Sequence, residues 1–182
     1  MSNFSFVPEN FGNVLDAAKK AEAQIKGDPR AACFHTRFAL ESTVQWLYRH
    51  DNSLKMPYDQ GLGALLHEPT FQNLLPEAVF QKARVIQKVG NRAAHNPRPM
   101  HQNDALQVVK ELHHICYWLV RTYTPNASRD GAGWKDERVP SPISDAKVVP
   151  RKELESLEKQ LAEKNETALK QQQERDALDA EL

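Results

Sequence analysis

Apolar residues recur at three- and four-residue intervals through every long segment of the first 124 residues, and no run of useful length alternates apolar with polar. That spacing gathers apolar side chains on one face of an α-helix, which must then be covered by another helix. The chain is therefore expected to be all-α. Its 182 residues suffice for one domain with a real core plus an appendage.

The segments can be placed from their punctuation. Pro8 suits a first helical turn, and Phe11, Val14, Leu15, Ala18, Ala21 and Ile25 follow as a stripe that ends at Gly27. Asp28-Pro29 reads as an N-cap followed by Pro at the first helical position, opening a helix to about His50. Its inward stripe is Cys33, Leu40, Val44 and Leu47, which Phe34, Phe38 and Trp46 are expected to broaden. Arg37 and Glu41 stand four apart and can pair. Short helical pieces are expected around Leu62, Leu65 and Leu66 and around Phe71, Leu74 and Leu75, separated by Glu68-Pro69-Thr70. Pro76 can start a long helix carrying Val79, Phe80, Ala83, Ile86 and Val89, which ends near His95-Asn96-Pro97. Asn103 or Asp104 is expected to cap a last helix through Leu106, Val109, Leu112, Cys116, Leu119 and Tyr123.

Composition changes after residue 124. Pro125, Pro140, Pro142 and Pro150 stand among Gly131, Gly133 and several Ser and Asp, the signature of a linker or of an ordered strap lying on the bundle, with Trp134 packing back. From Arg151 the chain is rich in Glu, Lys, Gln, Ala and Leu. Leu154, Leu157 and Leu161 fit heptad seam positions; Lys164, Ala168, Gln171 and Arg175 follow in that register before Leu178 and Leu182. No Gly, Pro or cap closes this helix, so it is expected to continue into a further domain.

Lys+Arg and Asp+Glu are equal at 24 each, so no global field advertises nucleic acid or a basic partner. Residues 1–124 hold 14 basic and 11 acidic residues and all seven His; residues 125–182 hold 10 and 13. The bundle is thus mildly basic and the tail mildly acidic. Cys33 and Cys116 sit in apolar helical stretches and read as reduced core thiols. No apolar run reaches the roughly 20 residues of a membrane span, and no signal-peptide pattern opens the chain, so a cytoplasmic protein without a membrane partner is expected.

The densest polar cluster beside an apolar helix face is Gln87 to Arg98. Arg92 and His95, three apart, share a face near a helix C-terminus, where the dipole favours cations, and Asn91 lies close by. Two readings are open. His95 can act as a general base with Arg92 stabilising an anionic phosphate. Alternatively, His95 and Asn91 satisfy helix-end carbonyls while Gly90 lets another helix approach. Arg84, Lys88 and Arg92 recur every four residues and, with Arg98, are the candidates for phosphate contact. The competing reading is a solvated helix face. His113 and His114 are adjacent and point to different sides of their helix. No Cys/His set has zinc spacing, no Ser sits in a nucleophile elbow, and no Gly-rich phosphate loop exists, so no metal or cofactor is expected in these residues.

Several stretches together resemble a known family. They are Asp28-Pro-Arg-Ala-Ala-Cys-Phe, Arg37-Phe-Ala-Leu-Glu41, Trp46-Leu-Tyr, Leu66-His-Glu-Pro-Thr-Phe71, Gly90-Asn91-Arg-Ala-Ala-His95 and Cys116-Tyr-Trp-Leu119. The set, over residues 4–124, is similar to the helical domain of unknown function at the N-terminus of many type I restriction enzyme R subunits (HsdR). The linker and charged helix resemble the spacer those subunits carry before their nuclease domain. The resemblance implies a restriction-modification system, with DNA cleavage and Mg- and ATP-dependent translocation confined to domains beyond Leu182. The same domain is similar to the HEPN helical bundles, many of them dimeric ribonucleases whose motif Arg precedes the motif His with four to six residues between. His95 matches the His and Asn91 the polar residue after the Arg, but the corresponding positions hold Gly90, Val89 and Lys88.

These readings combine into a HEPN-like bundle of about five helices over 1–124, a linker over 125–150 and a coiled-coil-like helix over 151–182. The expected role is a non-catalytic module of a type I restriction R subunit that docks other restriction-modification subunits or contacts DNA. Arg37, Glu41, Gly90, Asn91 and His95 form its structural motif, and a homodimer through bundle or tail is a further expectation. The alternatives are a free-standing HEPN-like ribonuclease or toxin using His95, Arg92 and Asn91, and a coiled-coil adaptor.

Overall fold

A computed structural model of the chain describes residues 1–141; the expectations for the tail helix of 151–182 lie outside the described residues. Among the described residues regular structure is helical throughout. A 3-10 turn, Glu9–Phe11, leads into α1 (Gly12–Gln24), α2 (Pro29–His50), α3 (Leu62–His67), α4 (Pro69–Leu74), α5 (Glu77–His95) and α6 (Gln102–Tyr123), and a second 3-10 turn spans Asp136–Arg138.

The helix starts follow local chemistry. The Asp28 carboxylate accepts the Ala31 N–H at 3.0 Å, and Pro29, whose missing N–H costs nothing in the first turn, opens α2. Glu68 does the same for α4, accepting from the Thr70 and Phe71 N–H groups ahead of Pro69. The extended Glu68–Pro69 step splits the 62–74 segment in two, where the break was expected, and the described residues hold six α-helices against an expected number of about five. Pro8 precedes a 3-10 turn rather than opening α1, and Gln24 rather than Gly27 closes that helix. The residue before α6 is His101, and neither Asn103 nor Asp104 caps it, because both lie inside the helix.

α2 is the hub. It packs on α1, α5 and α6, α5 also packs on α6, and α1 meets α6 more lightly. The stripe expected on α1 is buried throughout; on α5 Phe80, Ala83 and Ile86 are buried with Val79 and Val89 partly so, and on α6 Val109, Leu112, Cys116 and Leu119 are buried with Leu106 and Tyr123 partly so. On α2, Cys33, Leu40, Val44 and Leu47 are buried, and Thr36 and Thr43 hide their hydroxyls by donating to the Ala32 and Ala39 carbonyls one turn back. Phe34 and Phe38 do not broaden this core. They stand 47% and 49% exposed on the outer side of α2, since Cys33 and Leu40 already fill the inward direction.

Both ends of the described chain are sewn to the bundle. Glu22, a buried carboxylate on α1, accepts from the Asn3 backbone N–H at 2.9 Å and from Asn3 Nδ2 at 2.8 Å. Asn3 in turn exchanges two hydrogen bonds with the Lys135 backbone, at 2.8 and 3.0 Å. Lys26 Nζ donates to the Val139 carbonyl at 3.1 Å, and Ala132 and Val139 are buried. Residues 125–139 therefore lie along the bundle, with Trp134 set edge-on to Phe4 and His113.

Candidate functional site

The C-terminal half of α5 is built around a glycine. Gly90 is buried against α2, and a Cβ there would sit 2.5 Å from Arg37 Cβ and 2.7 Å from its Cδ. No side chain fits, so the glycine sets how closely α2 and α5 approach. A mid-helix glycine costs about 1 kcal/mol relative to alanine, and the close contact is what that cost permits. Arg37 lies over this seam with its Nε buried and unbonded, and it makes no ion pair with Glu41, because its stem is committed to packing on Gly90.

The α5 carbonyls are capped by a residue the sequence reading did not single out. Arg30, in the first turn of α2, donates from Nη1 to the carbonyls of Ala93 and Asn96, at 2.5 and 2.8 Å, and from Nη2 to that of Arg98 at 2.6 Å. One guanidinium thus satisfies orphan carbonyls and places a cation at the negative end of the helix. Sequence offers no signal for this, since Arg30 and Ala93 are 63 residues apart. The expectation that His95 and Asn91 bond these carbonyls is corrected: Arg30 occupies them, and His95 and Asn91 point to solvent without a hydrogen bond.

Arg92 is also committed. Its Nη2 lies 2.9 Å from the Asp104 carboxylate on α6, so the four-residue row divides. Arg84, Lys88 and Arg98 stay exposed and, among the described residues, meet no carboxylate. Arg84, Val85, Lys88 and Asn91 border a shallow depression of about 500 Å³ along α5. Lys82, one turn before Ile86, is spent on the opposite flank in an ion pair with Glu111. Burial pushes the Glu111 carboxyl up, but hydrogen bonds from Lys82 and Gln107 outweigh it and hold the group below the usual range.

The arrangement offers little for covalent chemistry. Burial, with Asp104 nearby, pushes the Cys33 thiol up to about 11, and burial alone pushes Cys116 up to about 12, so neither supplies a thiolate at neutral pH. His95 is exposed and makes no side-chain hydrogen bond or ion pair among the described residues. Among the described residues no three His, Cys, Asp or Glu side chains converge as metal ligands, and no helix is long and apolar enough to cross a membrane. What remains is a set of exposed basic side chains in no ion pair among the described residues, Arg84 and Lys88 on α5 and Arg98 in the turn beyond it, suited to contact with a polyanion.

The family model described as "Domain of unknown function (DUF4145)" matches residues 19–164, most of the chain. The chain belongs to that family. No curated protein and no solved structure matches it.

Proposed function

We propose, with membership of a family of undetermined function as the premise, that this chain is a non-catalytic, HEPN-like helical module of a type I restriction R subunit that contacts DNA phosphates through the outer face of α5. One observation supports the contact above the others: Arg84, Lys88 and Arg98 are exposed and, among the described residues, in no ion pair, while the α6 carboxylates Glu111 and Asp104 are already engaged by Lys82 and Arg92. The link to restriction systems rests on the stretches from Asp28 to Phe34 and from Gly90 to His95, which resemble those subunits. ATP, Mg and the cleavage chemistry belong, in this reading, to other domains, and other restriction-modification subunits are the protein partners.

The ribonuclease alternative needs Arg92 beside His95 and a phosphate. The Arg92–Asp104 pair weighs against it, since an Arg held by a carboxylate is a weaker anion site. Immunoprecipitation from source cells with an antibody to residues 1–124 tests the assignment. A product several times heavier than 20.7 kDa, co-purifying with site-specific DNA methyltransferase activity, is expected. A band at 20.7 kDa with no such activity contradicts it.

A further inference from the structure

The outer side of α2 carries apolar surface that the bundle leaves uncovered. Phe34 and Phe38, one turn apart and about half exposed, stand along an open groove of about 380 Å³ between α2 and α1. Asp16, Ala17 and Lys20 of α1 form its facing wall. Arg84 and Lys88 border a different depression, so this face is independent of the DNA contact. Single exposed apolar residues need no explanation, but two adjacent rings beside the buried Ala17 make a contiguous patch.

The charges decide what covers it. Asp16 and Lys20 are exposed, one turn apart, opposite in sign, and in no ion pair among the described residues. A partner of one sign would satisfy one of them and repel the other. α1 and α2 are joined by a short turn and pack side by side, so they run antiparallel. The groove sets Ala17 of α1 level with Phe34 and Phe38 of α2. A two-fold axis crossing both helices at this level exchanges Phe34 with Phe38 and Asp16 with Lys20. Each ring then meets a ring and each charge meets its opposite. The face is complementary to itself, which is what a two-fold dimer requires.

We propose that the outer face of α1 and α2 pairs with the same face of a second copy of this chain, with Phe34 against Phe38 of the other copy and Asp16 against its Lys20. Four half-exposed rings supply roughly 400 Å² of the about 1,600 Å² that a standard interface buries. The dimer is therefore weak and forms with rising concentration.

Sedimentation equilibrium of the full 182-residue chain tests this. The mass should rise from 20.7 kDa towards twice that, half-complete at about 50 µM. Phe34→Ala combined with Phe38→Ala should weaken association roughly tenfold or more with Tm unchanged. Asp16→Lys and Lys20→Asp should each weaken it roughly fivefold, because like charges then face each other. Both changes in one chain, or an equimolar mixture of the two single variants, should restore it. A dimer formed through the tail gives none of these patterns. A mass that stays at 20.7 kDa up to about 500 µM leaves the face to a different protein and overturns the proposal. Association unchanged by the phenylalanine substitutions, or a doubly charge-swapped chain that associates no better than the single variants, also overturns it.

Discussion

The two faces of α5 carry different obligations. The inner face, from Phe80 through Ala83, Ile86 and Gly90 to Ala93, is buried, close-packed and capped by Arg30 from another helix. The outer face, from Arg84 through Lys88 and Asn91 to His95, is exposed, and of its basic row only Arg92 makes an ion pair among the described residues, with Asp104. A helix stabilised on one side can leave its other side free of structural duty, and a free basic row is available for a partner. Substitutions should therefore separate cleanly: inner changes alter stability, outer changes alter binding.

The largest effect is expected at the seam. Gly90→Leu drives a side chain into Arg37 and should cost about 3 kcal/mol, read as a lower denaturant midpoint in chemical unfolding. Arg30→Ala should come next at about 2 kcal/mol, because it strips the α5 carbonyls of their donor; Arg30→Lys should recover only part, since an ammonium lacks the fork that spans three carbonyls. Restoration by Lys to the wild-type midpoint would break the capping argument.

Acid provides a third probe, away from α5. The pKa of His113 is lowered in the fold to about 4 from an ordinary 6.5, so the unfolded chain binds the proton first. Its contribution is complete above pH 6.5 and is lost as pH falls toward 4, amounting to about 2 kcal/mol by pH 5. His113→Leu should flatten the stability profile between pH 6.5 and 5; a slope equal to wild type would show that His113 is not the group titrating. The smallest effect belongs to Arg92→Ala, about 0.5 kcal/mol, because the pair with Asp104 is half exposed and screened by water. A loss several times larger would move Arg92 from the outer face to the seam.

The division between the faces was partly legible in the sequence. Asp28-Pro29 and Pro97 mark helix ends through local chemistry, and the single-face stripes of α5 and α6 have one possible inward direction. Gly90 could be read as a site of close approach because a helix interior otherwise disfavours glycine. α2 was harder. Phe34, Phe38, Cys33 and Leu40 span more than one face, and periodicity alone cannot choose which apolar residues face water. The Arg30 cap and the burial of His113 were out of reach for another reason: each depends on segments distant in sequence, the α5 terminus for Arg30 and the Asn3–Phe6 and Ala132–Trp134 segments for His113. The same limit hid the Arg92–Asp104 pair, which removes one member from an otherwise regular basic row.

The central claim is that the outer row of α5 holds DNA phosphates. The direct measurement is the salt dependence of duplex DNA binding for the wild-type chain and for the Arg84→Gln, Lys88→Gln, Arg98→Gln triple variant. With each phosphate contact adding about 0.9 to the slope of log affinity against log salt, the variant's slope should be shallower by about 2.7 at an unchanged denaturant midpoint. Equal slopes for the two proteins, or wild-type binding indifferent to salt, would contradict the account.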